Sequence, residues 1–121
     1  MDFQLNPIPG TRLAEVAADA PLIHSAADGA DLLGNVYYGG FDGVILPARV
    51  LPPAFFDLKT GLAGEMLQKF SNYRVQLAIV GDFSAYPGRS LQDFMRESNQ
   101  RGQVVFADSR EAALQRLTQP E

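Results

Sequence analysis

A chain of 121 residues with 46% hydrophobic and 20% charged side chains has room for one core and not for two, and needs no metal or disulfide staple to fold. A net charge of −4, with ten Lys and Arg scattered along the chain, argues against nucleic acid, which needs a concentrated basic face. The lack of cysteine excludes a disulfide framework, a thiol nucleophile and a thiolate metal site, and suits a reducing compartment.

Met1 to Gly10 carries two prolines and a glycine and reads as a short edge strand or loose lead-in. Asp2 stands where a signal peptide carries positive charge. No apolar run reaches the roughly 18 residues of a membrane span, so a cytoplasmic protein without membrane contact is expected. Leu13 to Ala17 and Leu22 to His24 read as strands either side of Ala18-Asp19-Ala20-Pro21, a hairpin-like pair adding an antiparallel edge. Ser25 and Asp28 form a capping box for a first helix, with Leu32, Leu33, Val36 and Tyr37 on one face and Gly39-Gly40 as its stop. Gly43 to Leu46, closed by Pro47, has the continuous apolar pattern of a strand buried on both faces.

Beyond Pro47, Pro52 and Pro53, a second helix over residues 53–72 sets Leu62, Ala63, Met66, Leu67 and Phe70 in one apolar stripe, with Glu65 and Lys69 as an i,i+4 ion pair. Val75 to Val80 is the central strand, broken by Gly81-Asp82. Ser90 and Asp93 open a third helix bearing Leu91, Phe94, Met95 and Ser98, stopped at Gly102. Val104 to Phe106 is the last strand. Asp108 and Glu111 box the start of a terminal helix that ends near Pro120. Short strands alternating with helices predict a single α/β domain over residues 1–121, with a mixed, mostly parallel five-stranded sheet and about four helices.

In open α/β sheets ligands gather beyond the carboxyl ends of the strands. Asp57, Lys59, Asp82 and Asp108 fall there, and carboxylates beside a lysine suit Mg²⁺ binding, acid–base or phosphoryl chemistry. The same positions suit helix caps and turns, the commoner use of such residues. His24 is the only histidine, which excludes a multi-histidine metal site. No dinucleotide or P-loop fingerprint is present, and no cofactor is expected. Gly61 and Gly64 are costly inside a helix, at about 1 kcal/mol each relative to alanine. With Thr60 they leave a bare patch, for tight packing on the domain's own sheet or for a partner. Phe55-Phe56 and Tyr37-Tyr38 suit core and rim positions, or an interface.

From Phe55 to Arg74, and again at Glu97-Ser98-Asn99, the chain resembles the bacterial family catalogued as domain of unknown function 4180, which implies no activity. The element order, with Asp57-Leu58-Lys59-Thr60-Gly61-Leu62 opening the second helix, is also similar to the sulfate-transporter and anti-sigma-factor-antagonist (STAS, SpoIIAA-like) domain. That family opens this helix with Asp-Ser-Ser-Gly, whose second serine is phosphorylated by a partner kinase. The resemblance places Asp57 on the aspartate, Thr60 on the phosphoacceptor and Gly61 on the glycine, with one residue more between Asp and Thr. Aligned without a gap, Leu58 takes the aspartate's place and the Thr60-Gly61 match remains. It implies a non-enzymatic regulatory or protein-interaction module with Asp57, Lys59, Thr60, Gly61 and Gly64 at its docking face, an unidentified protein partner, and a homodimer as a further option. The alternative is a small enzyme or ligand-binding protein using Asp57, Lys59, Asp82 and Asp108.

Overall fold

Alternation along the strands sorts the side chains onto two covered faces of one sheet. In the computed structural model, which describes residues 4–18, 20–86 and 88–118, the strands are β1 (Leu5–Pro7), β2 (Leu13–Val16), β3 (Gly43–Pro47), β4 (Gln76–Val80) and β5 (Val104–Ala107). The helices are α1 (Ala26–Tyr38), α2 (Leu62–Asn72), α3 (Arg89–Arg101) and α4 (Arg110–Thr118). Val16, Val44, Leu46, Leu77, Ile79, Val104 and Phe106 meet Leu32 and Val36 of α1, Met66 and Phe70 of α2 and Met95 of α3 in the larger core. Their strand neighbours Leu13, Ile45, Ala78 and Val105 turn to the other face, against Ala113 and Leu117 of α4. Three helices therefore cover one face and one covers the other, as period-2 burial on both sides of β3 to β5 requires.

The sheet order is β1-β2-β3-β4-β5, with β1 antiparallel to β2 and every later pair parallel. A single mixed, mostly parallel α/β domain with five strands and four helices is thus as the sequence predicts. The antiparallel edge is supplied by β1, within the segment that reads as a short edge strand or lead-in, and not by Leu22 to His24. Pro9-Gly10, with Gly10 at φ +78° and a Thr11 N–H to Ile8 C=O bond of 3.2 Å, makes the turn that pairs Leu5 with Val16. Leu22 to His24 is not a strand: the N–H groups of Leu22 and Ile23 both donate to the Val50 carbonyl, so no ladder forms. Of the expected lead-in, intervening turn and terminal stop, Met1 to Phe3, Asp19 and Pro120 lie outside the described residues.

Helix boundaries moved where caps compete. Ser25 accepts from the Asp28 N–H and Asp28 returns a bond to the His24 N–H at 2.8 Å, close to the expected box. The second helix begins at Leu62 and not at Pro53. Residues Pro53–Phe56 and Leu58–Thr60 form two short 3-10 turns, because Asp57 is extended and its carboxylate caps the second turn. Gly88 precedes α3, while Asp93 pairs with Arg96 at 2.7 Å instead of capping. Ser109, not Asp108, caps α4, its hydroxyl accepting from the Ala112 N–H. Glu65 and Lys69 form no ion pair among the described residues.

The outer edge of β5 is closed by α3. Val104 and Phe106 point their backbone groups away from β4, and the consecutive residues Ser98 and Asn99 meet them. The Ser98 hydroxyl donates to the Val104 carbonyl. The Asn99 amide accepts from the Phe106 N–H at 2.6 Å and donates to the Phe106 carbonyl at 3.2 Å, standing in for a sixth strand.

Candidate functional site

The entrance to α2 is built from two turns and a glycine. Asp57 accepts from the Lys59 N–H at 3.2 Å, fixing the second 3-10 turn. Thr60 ends it, with its hydroxyl directed into the turn: Oγ1 lies within donating distance of the carbonyls of Ala54 at 2.6 Å and Asp57 at 2.9 Å, and it accepts from the Leu62 N–H at 3.3 Å. Gly61 follows at φ +76°, a left-handed conformation that bends the chain into α2. Asp57, Lys59, Thr60, Gly61 and Gly64 are all exposed around the start of the helix.

Gly64 overturns one of the two expectations held for it. Nothing lies within 4 Å of where its Cβ would stand, so tight packing on the sheet is not its role. It forms one wall of a groove of about 250 Å³ between α2 and α3, with Leu67 and Ser71 beside it, Phe94 and Arg101 opposite and Val104 at the floor. Gly29 is the contrast: a Cβ there would meet the Met66 side chain at 2.9 Å, so that glycine is required by the contact of α1 with α2.

The strand-end carboxylates are exposed, and those of Asp57 and Asp82 are engaged in capping their own turns. Asp82 accepts from the hydroxyl and the N–H of Ser84, capping its own turn, and these bonds, the hydroxyl's first, hold its carboxyl below the usual carboxylate pKa. Asp108 is exposed beside the Ser109 cap. Among the described residues no group of three His, Cys, Asp or Glu side chains is placed to hold a metal ion.

The large-core side of the carboxyl edge, where a ligand would rest, is occupied by the protein's own rings. Phe55 and Phe56 come from the connector, Phe83 and Tyr86 from the loop after β4, Phe106 from β5 and Phe94 from α3. Phe56 stacks on Tyr86 at 4.4 Å, Phe83 meets Phe106 edge-on at 5.4 Å, and Phe94 lies 6.4 Å from Phe106. A sheet whose strands run in sequence order also lacks the reversal that opens a crevice between helices on opposite faces. On the α4 side a concavity of about 330 Å³ contains Glu15, Arg49 and Arg110. Its charges are engaged within the protein: Arg110 bonds Glu15 at 2.8 Å, which raises the guanidinium pKa, and Arg49 donates to the Ala18 carbonyl. Phe83, Tyr86 and Phe106 left no mark in the sequence as a unit, because the three are brought together only by the loop after β4.

The geometry defines a single α/β domain with an exposed helix entrance and a ring-filled strand end. The chain belongs to the family described as Domain of unknown function (DUF4180), which it matches over residues 8–117. No curated protein and no solved structure was found to match it. Among the described residues no helix is long and apolar enough to cross a membrane.

Proposed function

We propose that this domain is a non-enzymatic regulatory or protein-interaction module, docking through the entrance of α2 and the groove beside it. One observation carries the reading. Gly64 is kept inside a helix, where it costs about 0.5–1 kcal/mol relative to alanine, although no packing or backbone conformation requires it. A surface that must admit another backbone closely accounts for that cost. Thr60, Gly61 and Gly64 form the contact face, with Asp57 and Lys59 as its charged rim. The ring-filled strand end and the turn-capping carboxylates of Asp57 and Asp82 lend no matching support to an enzyme using Asp57, Lys59, Asp82 and Asp108.

A STAS-like version of the module places its control at Thr60. Phosphorylation there would remove the hydroxyl proton within reach of the Ala54 and Asp57 carbonyls and set nearly two negative charges against them. The modification would therefore open the double turn, and not merely label it. The reading is tested by capturing the tagged protein from the cells that make it, with Thr60 mapped by mass spectrometry and Gly64→Leu run in parallel. A stoichiometric partner lost in Gly64→Leu supports the module; a protein recovered alone and unmodified under several growth conditions counts against it.

A further inference from the structure

The large apolar side chains left exposed among the described residues, Leu58 apart, gather at one place. Tyr38 is 90% exposed, Tyr73 58% and Tyr37 47%. The Tyr37 ring meets Tyr38 at 5.3 Å and Tyr73 at 5.6 Å, both edge-on. Together with Ala30, Leu33, Gly34 and Lys69 the three tyrosines line a hollow of about 390 Å³ between α1 and α2. Gly34 repeats the argument of Gly64, since it stands in the middle of α1 with nothing within 4 Å of its missing Cβ. The hollow is kept open by a residue that the fold does not need there. This face lies at the far end of α2 from Thr60, about 16 Å away along an eleven-residue helix.

We propose that this face binds a second copy of the chain across a two-fold axis, with the Tyr38 ring of each protomer entering the hollow of the other. A two-fold interface must be complementary to itself, and here one patch carries both an exposed ring, at the rim of the hollow, and a hollow with room to take the partner's ring. The electrostatics agree: Lys69 lines the hollow and carries a positive charge to its rim or wall, and the face of an incoming phenol ring is the negative part of its quadrupole. The sheet edges are poor alternatives, since Ser98 and Asn99 occupy the edge of β5 and β1 is three residues long and ends in Pro7. With about 200 Å² for a whole tyrosine, the exposed fractions offer roughly 400 Å² per protomer, half the ~800 Å² of a standard interface. The dimer is accordingly weak and concentration-dependent.

Sedimentation equilibrium from about 1 µM to about 1 mM tests it, the range in which a small interface associates. The mass-average should rise from 13.2 kDa towards twice that value. Tyr38→Ala removes the projection and Gly34→Leu fills the hollow, and each should raise the dissociation constant at least about tenfold. Lys69→Met should raise it by a smaller factor. Because Tyr38 is exposed and Gly34 faces open space, Tyr38→Ala should keep the wild-type melting curve and Gly34→Leu should melt no lower than wild type; if one unfolds, the other decides. A chain that stays at 13.2 kDa throughout overturns the proposal, as does a dimer that neither variant weakens.

Discussion

Replacing Gly64 with alanine should make the protein more stable. The residue is in the first turn of α2, it is exposed, and its Cβ would meet nothing within 4 Å. The gain is that of restricting the unfolded chain and improving helix propensity, about 0.5–1 kcal/mol. In a domain of this size that corresponds to a rise in melting temperature of roughly 2–4 °C. Urea unfolding followed by far-ultraviolet circular dichroism, with calorimetry beside it, measures both. Gly29→Ala is the internal control. Its Cβ would approach Met66 to 2.9 Å in the α1–α2 contact, so it should lose about 1–3 kcal/mol by overpacking. If Gly64→Ala is destabilising by a comparable amount, the glycine is structural and the argument from an unexplained helix glycine to a docking face fails.

Gly61→Ala should cost about 1–2 kcal/mol, because φ +76° is unfavourable for any residue with a Cβ; an unchanged urea midpoint would contradict the left-handed turn. Asn99→Ala should cost about 1–3 kcal/mol and speed hydrogen exchange at the Phe106 amide, whose N–H and C=O both lose their partner; unchanged protection there would remove the edge-closing role. Asp82 has a lowered folded-state pKa, so its stabilisation is present above the ordinary carboxylate range near about pH 4 and is lost as pH falls through the lowered value. Ser84→Ala should move the Asp82 carboxyl titration upward in a carbon-detected NMR experiment. A titration that stays in place would mean the hydroxyl is not its cause.

Elements whose signal is local were legible in the sequence. The Ser25–Asp28 box, the apolar runs of β3 and β4 and the stripe from Leu62 to Phe70 lie within single segments, and their periodicity or capping chemistry determines them. The misreadings fall where two local rules competed. The proline-rich connector kept its apolar pattern continuous with α2, and only the left-handed Gly61 and the capping carboxylate of Asp57 separate the 3-10 turns from the helix. Leu22 to His24 has the composition of a strand but forms no ladder, whereas the edge strand legible within residues 1–10 is present, joined to β2 by the Pro9-Gly10 turn.

At the candidate site, Gly61 and Gly64 were visible as misfits because a glycine in a helix conflicts with propensity. What the sequence left open was the reason for each. A positive φ explains Gly61, whereas open space at Gly64 leaves an unexplained cost. The aromatic filling of the strand end and the Tyr73 side of the tyrosine patch are long-range facts, set by how α1, α2 and β5 lie on the sheet. Ser98 and Asn99 likewise carry no periodic signal, and their part in closing the edge of β5 is evident only once the strand's backbone direction is known.

The chain has two lysines, Lys59 at the entrance of α2 and Lys69 beside the tyrosine hollow, and they separate the two surfaces chemically. The most direct test of the docking face is amine cross-linking in the cells that make the protein, followed by capture of the wild type and of Gly64→Leu and residue-level mapping of the links. The account predicts a protein partner joined through Lys59 and lost in Gly64→Leu, with the folded stability of the variant intact. A partner joined only elsewhere on the surface, or retained in full by Gly64→Leu, would contradict it.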